Sequence, residues 1–358
     1  MTASQLLRVV VLAAALAAPA GAVTTGWTPL THQPTFFAST AFLLTDGRVL
    51  CNEVDASGFS TVRWWLLTPD SAGSYVNGTW SKAASANWTH LYFASGVFAD
   101  GRVIVCGGEY SDAGSETNKT EIYNPVANTW TKLSPPTGWS NVGDAPSVVL
   151  TDGRLYIGDI FGQRTAFYDP VTNTWAAGPK KLNSQCGEES WTLLQDDTVL
   201  SVDCFGHPKT EKWLPFTNKW VTCGSTPVDL VLSGSLETGA DVLRPNGVVF
   251  AIGGPPATAL YTPPVNPADP GTWVAGPVPP KINGKDIGAE DAPACVLPNG
   301  NVLMALGPVT AGGGCSRRRR TSSSSTAPRS RAFRTCPLPT RSRTRDACCA
   351  CPRVRRCS

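Results

Sequence analysis

Apolar residues in this chain come in short runs broken by turn residues, and they do not recur at helical spacing. The stretch from His90 to Trp130 shows the pattern most clearly. Phe93-Ala94-Ser95-Gly96-Val97-Phe98 precedes Asp100-Gly101, and Val103-Ile104-Val105-Cys106 follows, closed by Gly107-Gly108. After a polar loop, Glu121-Ile122-Tyr123 and Trp130 mark two more short strands. Asp-Gly between apolar runs is a strong hairpin signal, so the stretch predicts one antiparallel sheet of four strands in sequential order.

The same unit repeats along the chain. Its turns are Asp46-Gly47, Asp100-Gly101, Asp152-Gly153, Asp196-Asp197, Asn246-Gly247 and Asn299-Gly300, spaced 54, 52, 44, 50 and 53 residues apart. Trp80, Trp130, Trp175, Trp220 and Trp273 answer the first five. The second halves also match: Tyr123-Asn124-Pro125 to Asn128-Thr129-Trp130 recurs as Tyr168-Asp169-Pro170 to Asn173-Thr174-Trp175, and more loosely as Trp213 to Trp220. One such sheet cannot bury both of its faces, so the aromatic pairs are expected to pack between neighbouring sheets. Four strands per unit, stacked radially, predict an all-β propeller of five complete blades and a partial sixth.

With its apolar run, glycine pair and spaced Tyr and Trp, the chain resembles the kelch-repeat propellers. The resemblance covers about Trp27 to Gly307. Val103 to Gly108 with Tyr123 and Trp130 fits that repeat well; Val249 to Gly254 with Tyr261 and Trp273 fits it with a longer second half. Blades three and four carry Gly158-Asp159 and Asp203-Cys204 in place of the glycine pair. The resemblance implies that Trp27-Thr28-Pro29-Leu30 completes the last blade, and that an intact relative has six or seven blades.

Composition divides the chain. Arg8 ahead of Val9 to Ala18, with Ala20-Gly21-Ala22 behind, reads as a signal peptide over residues 1–22, too short to span a membrane. The propeller is then 23–310, in a secreted, extracellular or periplasmic product. Residues 311–358 hold 13 Arg and one acid, without strand alternation, and predict a disordered Arg/Ser/Cys-rich tail with the character of an out-of-frame translation. The other residues hold 17 bases and 26 acids, a net charge of −9 that argues against nucleic acid as a partner. Of 12 cysteines, six lie in the body (Cys51, Cys106, Cys186, Cys204, Cys223, Cys295), where export permits up to three disulfides of undetermined pairing.

Candidate chemistry comes from comparing blades. In a propeller the innermost strand of each blade lines a central channel, and its start faces one mouth. Eight positions before the turns stand Ala38, Tyr92, Asp144, Glu188 and Asp291, with Glu237 nine before its own; Glu189 and Glu290 adjoin this set. Tyr92, Asp144, Glu188, Glu189, Glu237 and Asp291 are therefore the expected ligand-binding residues. Such a ring can hold a cation or the hydroxyls of a polar ligand; the competing reading is that each carboxylate accepts backbone hydrogen bonds at a strand start.

The segment Tyr92 to Arg102 is also similar to the strand of galactose oxidase and other copper radical oxidases that carries their redox tyrosine, with Tyr92 at the matching place. That likeness implies a cross-linked cysteine from the preceding blade, a second tyrosine and two histidines around copper. Thr35 to Leu44 holds no cysteine, and only His32, His90 and His207 exist, none at a matching position. The sequence thus predicts a monomeric binding module for a carbohydrate, cell-surface polymer or protein, without catalytic residues; copper and calcium stay open as cofactors. The alternative is a degenerate or truncated galactose oxidase-like oxidase without a complete metal site.

Overall fold

The computed structural model describes residues 28–111 and 116–309, and the strand backbone of Val354–Cys357. The expected signal peptide, residues 23–27 and 310 of the expected propeller, and residues 311–353 and 358 of the expected tail lie outside the described residues. The described chain contains strands and no helix, arranged as five four-stranded antiparallel sheets in the expected order. They begin with the strands Phe37–Leu43, Ala94–Val97, Ser147–Val149, Ser190–Leu193 and Asp241–Leu243. A three-stranded sheet pairs Ala294–Val296 with Val302–Ala305, with Val354–Cys357 as its third strand, and Ile287–Gly288 pairs with Gly307–Pro308 in a separate two-stranded sheet.

All six first turns have one geometry, tighter in detail than a simple Asp-Gly pair. In the second blade the Gly101 N–H donates to Phe98 O at 2.9 Å and the Phe98 N–H to Arg102 O at 2.8 Å. Gly101 sits at φ 87. This is a three-residue loop: a type I turn followed by a left-handed residue. The Asp or Asn ahead of the glycine accepts a hydrogen bond from the backbone two residues on: Arg48 N to Asp46 Oδ1, Arg102 N to Asp100 Oδ1 and Asn301 N to Asn299 Oδ1, at 3.0, 3.0 and 3.1 Å. In blade four Asp197 occupies the left-handed position, at φ 65.

The second hairpins repeat as faithfully. Asn128, Asn173 and Asn218 are left-handed, at φ 50, 57 and 51. Their amide oxygens accept from Tyr123 Oη, Tyr168 Oη and Trp213 Nε1 at 2.9, 2.9 and 3.1 Å. Each following Trp reaches the preceding blade. Trp130 Nε1 donates to Ala84 O at 3.0 Å, Trp175 Nε1 to Ser134 O at 2.8 Å and Trp220 Nε1 to Tyr156 Oη at 2.9 Å.

The core lies between blades. Leu50, Trp64 and Leu66 meet Val103, Val105 and Tyr123; Ile104, Cys106 and Ile122 meet Leu155, Ile157 and Tyr168. Tyr156 and Phe167 meet Val199, Trp213 and Trp220, and Phe250 and Ile252 meet Val302, Met304 and Leu306. Burying one such side chain stabilises by roughly 1.5–3 kcal/mol. Cys106, Cys186, Cys204 and Cys223 are buried as thiols and Cys295 is an exposed one, so none of these forms a disulfide among the described residues.

The expected closing strand takes another course. Thr28, Pro29 and Leu30 are in no strand. Beyond them the Thr31 N–H donates to Val76 O at 2.7 Å and His32 Nδ1 contacts Gly78 O at 3.0 Å, so this segment packs on the outer turn of the first blade. Position 76–78 offers carbonyls left unused by the sheet, which satisfy the incoming backbone.

The glycine pair of blade two has a steric cause. A Cβ on Gly107 would stand 2.5 Å from Gly143 O, and its φ is 82. Gly108 N–H donates to that same Gly143 O at 2.8 Å. The pair thus lets the loop entering blade three cross the end of blade two. Gly107→Ala is expected to lower stability by about 2–3 kcal/mol through backbone clash and left-handed strain together. Gly47→Ala has the same strain, at φ 83, but open space around it, and is expected to cost about 1 kcal/mol. Urea unfolding midpoints of the two variants check the order; equal losses would remove the crossing argument.

Candidate functional site: an acidic channel mouth

Innermost strands of successive blades lie side by side from the second blade to the sixth. The residues just before them therefore gather at one end of the axis. The chain enters these strands through left-handed backbone: Tyr92, Glu188 and Asp291 at φ 51, 60 and 50, and, one residue ahead of Asp144 and Glu237, Gly143 and Leu236 at φ 62 and 63. A left-handed non-glycine residue costs on the order of 1–3 kcal/mol and persists only where its surroundings hold it.

The surroundings do so through backbone bonds. Glu237 O accepts from Leu232 N at 2.9 Å and Thr238 O from Asp291 N at 3.1 Å. Gly253 O accepts from Ala289 N at 2.9 Å, and Glu188 O from the Cys204 thiol at 2.8 Å. The carboxylates are thereby aimed by the scaffold.

Four of the six expected residues come together. Glu188, Glu237 and Asp291 each present one oxygen within 4.8 Å of the others, from blades four, five and six. Asp144 of blade three adds its charge to the group: it pushes Glu188 upward, and Asp291 pushes Asp144 in turn. Burial is the largest cause of every shift, and neighbouring acids come next. Together they push Asp144 up to about 8, Glu188 up to about 10 and Glu237 up to about 9. Asp291 goes up to about 6 and stays open to solvent. At neutral pH the mouth therefore holds both carboxylic acids and carboxylates, so it can donate as well as accept hydrogen bonds.

Two expected residues are placed otherwise. Glu189 points between blades, fully enclosed, where Lys181 pairs with it and Trp191 Nε1 and Ser201 Oγ donate to it at 3.1 and 2.8 Å. Glu188 sits in left-handed backbone just ahead of the strand Ser190–Leu193, whereas Glu189 is held inward by Lys181, Trp191 and Ser201. Tyr92 is half-buried on the side of blade two, its ring edge-on to Tyr110 at 6.3 Å.

Three acids join from elsewhere. Glu109 and Glu116 come from the loop after the second strand of blade two, and Glu290 precedes Asp291. Glu109 raises Glu116, Asp144, Glu188 and Asp291, and Glu116 itself goes up to about 7. The sequence signal for Glu109 was its place directly behind the glycine pair. Asp144 Oδ1, Glu116 Oε2 and Glu290 Oε1 are buried and accept no hydrogen bond from the described protein.

The residues do not fit a copper site of the galactose oxidase kind. His90 lies enclosed between blades with its ring nitrogens on Gly107 O and Glu121 Oε1 at 2.7 and 2.9 Å. His207 pairs with Asp229 at 2.9 Å, and His32 rests on the outer turn of blade one. Among the described residues no cluster combines histidine or cysteine with other metal-ligating groups; the cluster that does form is all carboxylate.

The kelch motif matches residues 90–137, the stretch on which the repeat is built. No curated protein matches the chain. Among solved structures it is similar to a copper-bound fungal alcohol oxidase of the AA5 family, with 17% identity over 78% of this chain and a TM-score of 0.57; the chain spans 60% of that protein. It is also similar to YjhT, with 14% identity, 79% of this chain and 94% of that one covered, and a TM-score of 0.54. The likenesses give the fold: a kelch-type propeller, distantly similar to that of the galactose oxidase class.

Acids whose folded-state pKa is raised stabilise the fold at low pH, and this contribution is lost as pH rises from the ordinary carboxylate value near 4 through the folded value. For Asp144, Glu188 and Glu237 that window reaches about 8, about 10 and about 9. The wild type should therefore lose stability between pH 5.5 and 9, and Glu188→Gln should lose distinctly less, with the two curves diverging upward in pH. Thermal melts across this range check it; parallel curves would show that the acids do not repel one another.

Proposed function

We propose that this chain is an exported binding module whose acidic channel mouth holds a carbohydrate through its hydroxyl groups. The convergence of Asp144, Glu188, Glu237 and Asp291 from four successive blades supports this reading most strongly. Sugar hydroxyls both donate and accept, and a mouth with protonated and ionised carboxyls beside one another offers partners of both kinds. Tyr92 and Tyr110 at the neighbouring blade add an aromatic surface for the apolar face of a pyranose ring. The module acts as a monomer, outside the cytoplasm, with a cell-surface polymer as the natural source of such a ligand.

A glycan array probed with the full chain tests this. The wild type is expected to retain a defined set of glycans, and Glu188→Gln and Tyr92→Ala to lose at least about tenfold in affinity, as expected when a buried polar partner or aromatic platform is removed. An array with no retained glycan would overturn the carbohydrate reading.

The likeness to the copper-bound alcohol oxidase supports a second reading: a degenerate oxidase-type propeller that has lost its metal ligands. Peroxide release after copper reconstitution, with galactose, glyoxal or methylglyoxal supplied, separates the two. The binding-module reading expects none; turnover abolished by Tyr92→Phe would replace it with the oxidase.

A further inference from the structure

At the channel mouth the acids bond largely to one another, Glu237 with Glu290 and Asp291, and Ser235 stands by Glu237 as a further donor. Three carboxylates, one from each of three consecutive blades, bring oxygens within 4.8 Å of one another. Two oxygens bound to one calcium ion stand at most about 5 Å apart, twice the Ca–O distance of 2.3–2.6 Å. Three oxygens within 4.8 Å of one another have a common centre no more than about 2.8 Å from each, so one ion reaches Glu188, Glu237 and Asp291 after shifts of at most a few tenths of an ångström.

A second feature points to the same ligand. Asp144 Oδ1 of blade three is buried and receives no hydrogen bond from the described protein. An acceptor left this way costs about 1–3 kcal/mol, and more when charged, unless something else satisfies it. The nearby acids that act on Asp144, namely Glu109, Glu116 and Asp291, are acceptors too, so no neighbouring side chain of that group supplies a donor to it when ionised. Glu116 Oε2 and Glu290 Oε1 are buried without donors in the same group. Glu121 shows the satisfied arrangement, accepting from Asn87 N, Asn87 Nδ2 and Trp88 N at 2.9, 2.8 and 3.2 Å, although Asp203 and Asp241 also keep oxygens without a donor away from the mouth.

We propose that Glu188, Glu237 and Asp291, with Asp144 beside them, form a calcium site at the channel mouth, and that the ion's remaining coordination positions receive paired hydroxyls of the bound carbohydrate. Calcium takes six to eight oxygens, and four carboxylates leave positions open on the solvent side, where Asp291 is exposed. The ion would also tie blades four, five and six together, since each gives one ligand. The proposal rests on the reading of the acidic mouth as the ligand site.

The test uses the full chain stripped with chelator and titrated with calcium chloride by calorimetry at pH 7.5, with thermal melts in parallel. The expected result is one site of micromolar to millimolar affinity and a melting midpoint raised by at least about 2 °C in excess calcium. Glu237→Gln and Asp291→Asn should each weaken calcium binding at least about tenfold, while Asp286→Asn, at an exposed pair with Lys281, should leave it unchanged. The wild-type titration stands even if a variant folds poorly, and circular dichroism reports that case. A folded wild type that neither binds calcium nor shifts its midpoint at 10 mM (about ten times the weakest dissociation constant of such extracellular sites) overturns the cation site. Undiminished binding by Glu237→Gln and Asp291→Asn overturns it as well. Calcium binding with an empty glycan array keeps the site and removes the carbohydrate reading; glycan capture unaffected by chelator does the reverse.

Discussion

A thin sheet with two apolar faces has no stable state alone in water, and this constraint organises the molecule. Each inner cluster joins two successive blades: Leu50 and Trp64 with Val103 and Tyr123, or Phe250 and Ile252 with Val302 and Met304. The indole N–H of Trp130 or Trp175 then bonds the preceding blade's backbone, which fixes rotation about the contact as well as its distance. Because every blade is positioned by its neighbour, the loops entering the inner strands meet at one end of the axis. The site is a by-product of how the sheets cover one another.

That packing supports what the mouth could not support by itself. Tyr92, Glu188 and Asp291 occupy left-handed backbone, and the acids around them oppose one another's ionisation. Two kinds of buried acid can be told apart in the same fold. Glu121 and Glu189 have a full set of donors, including His90 for the first and Lys181 for the second, and they join segments of the scaffold. Asp144, Glu116 and Glu290 keep bare oxygens. Asp203 and Glu211 combine the two, accepting from Ser184 and Gly206 or from Leu182 N while one oxygen of each accepts no hydrogen bond.

Local chemistry made the blades legible in the sequence. An Asp-Gly turn, an apolar run and a Tyr–Trp pair act within about ten residues, and they recur often enough to reveal the period. The same register carried Asp144, Glu188, Glu237 and Asp291 to one level. Glu189 is drawn away from that level by Lys181, Trp191 and Ser201, partners that no sequence period announces. Glu109 and Glu116 escaped because they sit in a loop of irregular length, outside any period. The course of Thr31 and His32 along the first blade was equally hidden, since it depends on which distant carbonyls remain unpaired. The kelch motif and the structural likenesses agree with the periodic part of the reading, where the physics is local.

The mouth is not symmetric, and its asymmetry bears on what it can hold. Blades three to six give carboxylates at the entering loops, whereas blade two gives Tyr92, stacked edge-on with Tyr110 and packed near Phe37 and Leu91. The acids thus gather on the side of blades three to six, while Tyr92 packs into the apolar cluster of Val54, Leu91 and Tyr110 at blade two. A wholly ionic ligand would use only the first, and an apolar one only the second. On the proposed reading, a molecule with hydroxyls along one edge and a C–H face beside them would use both at once. The histidines that a redox metal would need are spent elsewhere, on Glu121, Asp229 and Gly78, so the scaffold shared with the oxidase presents a different set of atoms at its axis. The fold determines where the site lies; the acids that cannot satisfy one another determine what it is fit to receive.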